Sequence, residues 1–503
     1  MSENNKIPAE KVRFVGIDQM RGDQNVQTKH TGYFRDALHR FRRNRSSVVA
    51  GIIIVCLILY AIFVPIFCQT PYSRALTDTT YLKYTKLSPR NRLFVKMGLD
   101  FWDGCAVKSL GEGNLLYLQG ISAETGKTAV KKILSRSTDS DGKPVYKCRV
   151  DSYIANGFAY MTFTEAEYRA IQSWQNASGV QVIYPAVTDQ SLTDANIWYE
   201  ANRKGVAQLD ANGSYVDIYR RSGDDGGYAS LRIPGDSGQY RYAVITGDAN
   251  AVSYRCRVFL HSYFQYRYGS SPSFLLGTTG MGQDILTRLA SAARFSLVFA
   301  VSVSLINLFI GAVYGAIEGY YGGVADLLME RITDILSRIP FLVVATLFQL
   351  HLAARVGPIV SLLFAFVLTG WIGMAGTTRM QFYRYKGQEY VLAARVLGAR
   401  DRRIMFRHIF PNALGTIITS SVLVIPGVIF MESSLTYLGI VNLDSSAMTS
   451  VGTMLANGRQ YLSTDPHIIL FPALFISLLE ISFNLFGNGL RDAFNPSLRG
   501  ADQ

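Results

Sequence analysis

Residues Glu389 to Asn412 read EYVLAARVLGARDRRIMFRHIFPN, and this stretch governs how the rest of the chain is read. Its spacing predicts two short helices broken at Gly398. Tyr390, Ala393, Ala394 and Leu397 recur at i, i+3, i+4 and i+7, so they share one helical face. Ile404, Met405, His408 and Ile409 do the same for a second helix, which is expected to stop at Pro411 because proline cannot continue a helix. Gly398 turns the backbone between them without a Cβ clash. Two amphipathic helices held at a fixed angle make a knob that a partner's groove can grip. The alternative is a basic loop that only fixes membrane orientation.

Apolar segments flank this stretch on both sides. Ser47–Cys68 contains no charged residue and is long enough to cross a bilayer as a helix. Further spans are predicted at Phe295–Ile317, Ile339–Leu352 (extendable back through Ile335), Val356–Thr377, Ala413–Met431 with a kink at Pro426, and Ile468–Gly487. Between Thr378 and Asn412 there are eight Lys or Arg against two acids, whereas the segment Glu432–His467 has Arg459 as its single Lys or Arg. The positive-inside rule therefore puts the Gly398 stretch, and both termini, in the cytoplasm. The 503 residues carry a net charge of +13 and are 49% hydrophobic. The basic residues cluster beside apolar spans, which points to membrane topology rather than to nucleic acid. Five cysteines are few for a disulfide scaffold, and the six histidines have no metal-ligand spacing. No nucleophile–base pair or Walker motif appears, so catalysis by this chain is not expected.

Ala393-Ala394-Arg395, then Leu397-Gly398, nine intervening residues and His408-Ile-Phe-Pro411 resemble the EAA coupling motif of bacterial ABC-importer permeases. The wider pattern, from Glu389 through Ala399 to Arg407-His408 and Pro411-Asn412, is similar to the oligopeptide/dipeptide (nickel-peptide) branch. Two positions depart from it: Leu392 stands where Glu or Gln is usual, and Phe410 replaces Leu. Both bear on which ATPase contacts are made. Phe34-Arg-Asp-Ala-Leu-His-Arg-Phe41 resembles the N-terminal segment of the C-type subunit. Leu276–Asp284 resembles another family segment, with Thr279 and Gln283 replacing its acid and base. Asp284 and Arg288 lie one turn apart and are expected to pair. Glu432–Gly439 and Ser450–Arg459 resemble the outward gate region, and Gly487–Pro496 the C-terminus.

The resemblance implies a membrane α-helical fold. About six transmembrane helices form an ABC-importer (type I) permease core, with a mixed β-rich extracytoplasmic domain inserted between the first and second. The segments are an N-terminal arm with an amphipathic helix (1–46), the first span (47–68), the insert (69–273), the core (274–490) with its coupling loop (378–412), and a cytoplasmic tail (491–503). It also implies the partners: a second homologous permease, two cytoplasmic ATPases that bind the ATP and Mg, an extracytoplasmic peptide-binding lipoprotein, and lipid. Nucleic acid is not among them, and no cofactor is expected in this chain. The ATPase-coupling residues are Glu389, Ala393, Ala394, Arg395, Gly398, Ala399, Arg407, His408 and Pro411. Glu432 and Glu480 are pore or gate candidates. Glu480 falls inside a span, where a carboxylate is costly; the alternative is a paired or protonated acid at a helix interface. Oligopeptides or dipeptides are the expected cargo, with nickel, haem or another small solute as alternatives. A membrane sensor that recognises through its outer domain is a rival of another class, and it predicts one or two spans.

The insert departs from the family pattern. Short Tyr- and Val-rich runs at Tyr146–Tyr153, Val180–Tyr184, Tyr215–Tyr219, Tyr240–Ile245 and Tyr254–Phe259 read as strands between turn residues. Thr164-Glu-Ala-Glu167 is a capping-box signature. Tyr146-Lys-Cys148-Arg-Val150 echoes Tyr254-Arg-Cys256-Arg-Val258, which suggests neighbouring strands joined by a Cys148–Cys256 disulfide. Cys105 is an equally good partner, and two buried thiols that never meet are the remaining alternative. Gly120–Thr128 imitates a phosphate-binding loop, but with five residues between its glycines where four are needed.

Overall fold

A computed structural model describes residues 33–67, 83–187, 198–199, 211, 218–222, 227–230, 232–247, 252–443 and 449–494. Helix α1 (Tyr33–Arg43) leads into the apolar α2 (Arg45–Phe67). The ring of Phe41 meets Phe486 edge-on at 5.3 Å, so the basic helix is fastened to the last helix of the chain. Cys68 and residues 69–82 lie outside the described residues.

The insert is built from two copies of one unit. In the first copy, β1 (Cys105–Gly111) feeds α3 (Glu112–Thr125), then β2 (Val130–Thr138) and β3 (Pro144–Asp151). In the second, β4 (Phe158–Thr164) feeds α4 (Glu165–Ser178), then β5 (Ile183–Tyr184). The chain departs through β6 (Trp198–Tyr199), β7 (Ile218–Ser222) and β8 (Gly227–Ser230), which form a sheet of their own. It returns as β9 (Ala243–Thr246) and β10 (Ser253–Phe259), followed by α5 (Leu260–Tyr268). Both first strands have 7 residues, and both helices have 14. Each helix ends on a left-handed glycine, Gly126 or Gly179. The pairings agree residue for residue: Cys105 faces Asp151 and Gly111 faces Val145, while Phe158 faces Phe259 and Thr164 faces Ser253. β5 and β9 lie end to end along β10, and together they take the place of β2. The second copy's edge strand is thus interrupted by the excursion between them.

This arrangement corrects the disulfide expectation. Cys148 on β3 and Cys256 on β10 are both strand residues, but they occupy different sheets and different cores. Both thiols are free, as is that of Cys105. The echo arises because each copy's central strand points Tyr, Cys and Val into its own core. Burial pushes the Cys256 thiol up to about 12, and burial with the neighbouring Asp103 does the same for Cys105, so neither forms a thiolate readily. The phosphate-loop imitation is the end of α3 with its Gly126 cap. Thr164 forms the expected capping box with Glu167. Tyr215 lies outside the described residues.

After the insert come α6 (Ile285–Tyr321), α7 (Gly323–Ser337), α8 (Phe341–His351), α9 (Pro358–Gly370), α10 (Ile372–Lys386) and α11 (Glu389–Val396). A π-helix (Ile404–Ile409) then leads into α12 (Phe410–Val422), α13 (Val424–Tyr437), α14 (Val451–Gly458) and α15 (His467–Phe494). Among the described residues, five helices or continuous pairs are long and apolar enough to cross a membrane. A sixth crossing arises if α7 and α8, bent by 71° at Pro340, count as one. α6 starts ten residues earlier than predicted because Asp284 caps it, accepting from Leu286 N at 3.2 Å. That capping replaces the expected pairing with Arg288.

One crossing fixes the bundle. Gly311, Gly315 and Gly319 form a stripe along α6, and a Cβ on each would lie 2.1 to 2.7 Å from the carbonyl oxygens of Trp371, Ala375 and Arg379. Small residues four apart let two membrane helices touch backbone to backbone.

Candidate functional site

The Gly398 stretch sits at the end of the bundle opposite the insert. α11 closes with two bonds: Ala399 N donates to Ala394 O and Gly398 N to Arg395 O, both at 3.0 Å. This is a Schellman ending, which needs a left-handed residue, and Gly398 has φ +81°. The sequence break is therefore a built turn. Beyond it Asp401–Arg403 starts the second arm, which runs into the π-helix.

One expectation fails here. The second helix does not stop at Pro411, which stands in the first turn of α12. A proline there lacks an N–H that the first turn does not use, and the wider π-turn before it relieves the clash with the preceding carbonyls. On α11 Val391 and Ala394 point inward, while Tyr390, Ala393 and Leu397 of the predicted apolar face are exposed. On the second arm Ile404, Met405 and Ile409 are buried and His408 partly so. These side chains pack with Ala316 and Tyr320 of α6 and Phe382 of α10.

Polar bonds lock the same joint. Tyr320 Oη donates to Asp401 Oδ1 at 2.6 Å, and Arg395 Nη2 reaches Tyr320 Oη at 3.5 Å. Arg379 on α10 holds α7 through Asp326 at 2.7 Å and Glu330 at 2.9 Å. Lys386 Nζ donates to the carbonyl of Gly319 at 2.9 Å. The turn is thus packed against the ends of α6 and α10, and Arg379 ties α10 to α7. Tyr320, Asp401 and Arg379 were not singled out from the sequence, because their importance depends on contacts distant along the chain.

The tip is apolar and unpacked. Val396 is 87% exposed and Leu397 86%. Leu392, the departure from the motif, stands on the same exposed side. Glu389, Ala393, Arg395 and Arg407 are exposed, Ala399 is half-buried, and Pro411 is exposed. An exposed Val-Leu pair ringed by arginines marks an interaction surface.

The gate candidates are elsewhere. Glu432 on α13 is fully buried and accepts from Ser296 Oγ of α6 at 3.0 Å. It lies beside Ser433, and the carbonyl of Glu432 accepts from Thr436, which presses on Gly452 of α14. Glu432 therefore sits where three helices join. Glu480 on α15 is half-buried, and its Oε1 has no hydrogen-bond partner among the described residues. No group of three or more His, Cys, Asp or Glu side chains among the described residues is arranged to hold a metal ion.

Two family models match the chain. Residues 308–500 match the inner membrane component of binding-protein-dependent transport systems, and residues 32–89 the N-terminal transmembrane domain of oligopeptide transport permease C. The oligopeptide transport system permease protein OppC of Bacillus subtilis is 40% identical over 223 residues, which is 44% of this chain and 72% of that protein. The dipeptide transport system permease protein DppC of the same organism is 39% identical over 224 residues, covering 44% and 68%. The glutathione transport system permease protein GsiD of Pectobacterium atrosepticum is 32% identical over 241 residues, covering 47% and 78%.

Proposed function

From the premise that this chain belongs to the bacterial inner-membrane permeases of binding-protein-dependent transport, in the oligopeptide/dipeptide C-type branch, we propose that it forms half of an ATP-driven path for peptides and is driven through the turn at Gly398. Its relatives are transport permease subunits, and their family implies ATPase and binding-protein partners. In this reading two cytoplasmic ATPases bind the ATP and Mg, a second homologous permease completes the path, and a peptide-binding lipoprotein delivers cargo to the outer face. The insert then lies outside the cell and the Gly398 turn inside it.

The exposed Val396–Leu397 tip carries the proposal. The base of the turn is packed into the bundle, and the tip offers apolar side chains to a groove, with Arg395, Arg400, Arg402, Arg403 and Arg407 around it to meet acidic residues or lipid phosphate. Closure of an ATPase dimer around that tip pushes the ends of α6 and α10, and the spans rock between inward- and outward-facing states.

The test is a reconstituted complex of this chain with its partners. Leu397→Asp and Val396→Asp are expected to lower peptide-stimulated ATP hydrolysis and uptake at least tenfold. The thermal unfolding of the isolated chain should stay unchanged, since exposed positions tolerate substitution. Full activity in both variants would remove the turn from the coupling path.

A further inference from the structure

The duplicated domain holds a groove that coupling does not use. In the first copy Ser122 Oγ, on α3, accepts from Ala129 N at 2.8 Å, and β6 of the excursion lies against α3. In the second copy the equivalent position is Gln175, whose Oε1 accepts from Val182 N at 2.8 Å and Ile183 N at 2.6 Å. Beside α4 a groove of about 460 Å³ stays open, lined chiefly by Tyr168, Gln172, Gln175, Asn176, Gln181 and Tyr242. The first copy's helix is thus covered by an extended segment of this same chain, whereas among the described residues no such strand lies over the second copy's.

The floor of the groove is a strand edge. Ile183 on β5 faces Val258 of β10, while Phe259 N donates to Val182 O. The alternation of an antiparallel ladder therefore turns the N–H and C=O of Ile183 away from β10. Two glutamines hold them: Gln175 Oε1 accepts from Ile183 N, and Gln181 Nε2 donates to Ile183 O at 3.1 Å. A carboxamide presents a donor and an acceptor in one plane, as a peptide group does. The glutamines occupy the positions that the main chain of a neighbouring strand would take. Among the described residues no charged side chain lines the groove.

We propose that this groove takes a short extended peptide, laid against the carboxamides of Gln175 and Gln181 that cover the β5 edge and recognised through its main chain. The volume suits a ligand of a few residues. Neutral amides and phenols match a chain of peptide groups without selecting its side chains, and Tyr168 and Tyr242 give flat surfaces for whatever side chains it carries. Recognition of an extended peptide in this way draws affinity from the ligand's main-chain hydrogen bonds. The proposal rests on the importer reading only for the source of the peptide.

The test uses the full chain in nanodiscs and fluorescence anisotropy. The probe is a labelled, acetylated and amidated hexapeptide of alternating Ala and Thr. Binding is expected, with at least tenfold weakening when alternate amides of the probe are N-methylated. Gln172→Ala and Tyr242→Ala, both exposed positions, are expected to weaken binding by a similar factor without moving the thermal unfolding. Equal binding of the methylated probe, indifference to both variants, or binding of chitotetraose in place of peptide would each overturn the proposal. Peptide uptake by the assembled complex is measured separately. Uptake without groove binding removes the groove alone, and groove binding without uptake removes the importer reading alone.

Discussion

His261 shows how one side chain sets a condition on the insert. It opens α5, is buried, and its Nδ1 has no hydrogen-bond partner among the described residues. Burial, with Lys127 and Arg90 adding repulsion, pushes its pKa down to about 3. In the unfolded chain an imidazole titrates near 6.5. The unfolded state therefore takes up the proton first, and stability falls as pH drops below about 6.5, by at most about 1.4 kcal/mol per unit. The contribution of this histidine therefore falls between pH 6.5 and 5, and a variant lacking it separates that contribution from those of other groups. The unfolding temperature of the insert, followed by near-UV circular dichroism, is expected to fall across that range. His261→Phe should flatten that fall, and an unchanged slope in the variant would assign the pH response to other groups.

At the level of elements, the crossing of α6 over α10 bears most directly on the core. A Cβ on Gly315 would stand 2.1 Å from the Ala375 carbonyl oxygen, with no flexible atom to yield. Gly315→Leu is expected to force the helices apart and to abolish the monodisperse detergent-solubilised protein on size-exclusion chromatography. Gly373→Ala, where nothing lies within 4 Å, serves as the tolerated control. If the leucine variant eluted like the parent, the close crossing would not be what holds the pair. Periodicity made such helices legible because each span is a long apolar run. It grouped the apolar residues of each arm onto one face without telling which face meets the bundle: the second arm's is buried, whereas Tyr390 and Leu397 obey the helical period while serving an exposed surface. A partner's groove and a protein core ask for the same apolar spacing. The duplication showed in the sequence only as Tyr-x-Cys-Arg-Val, because strand register survives side-chain change and the second copy's edge strand is split by the excursion. The π-turn left no sequence signal beyond Pro411 itself.

Across the whole molecule, the insert is joined to the core by backbone rather than tethered by a linker. Lys86 N donates to Thr279 O at 3.1 Å, Thr278 N to Leu87 O at 2.9 Å, and Arg90 N to Phe274 O at 2.8 Å. Gly277 has φ +82°, and a Cβ there would meet Leu87 O at 2.3 Å, so this seam admits no side chain. The insert also reaches the segment after α14. Lys86 lies over the Tyr461 ring at 4.8 Å, and Lys108 Nζ stands 3.0 Å from Asp465 Oδ1, an ion pair rather than a directed hydrogen bond. Asp465 is buried, so removing its counter-charge costs about 3–5 kcal/mol, whereas replacing both partners with apolar groups costs far less. Lys108→Met is therefore expected to lower the unfolding temperature, and Lys108→Met with Asp465→Leu to recover most of the loss. A domain sewn to this segment should travel with it through the transport cycle. Spin labels at the exposed Ser109 and Gln460 are expected to keep one distance, by double electron–electron resonance, in nucleotide-free and ATP-trapped complexes. A distance that changes by several ångströms between those states would show the insert swinging on its own. A constant one makes it a fixed extension of the segment after α14.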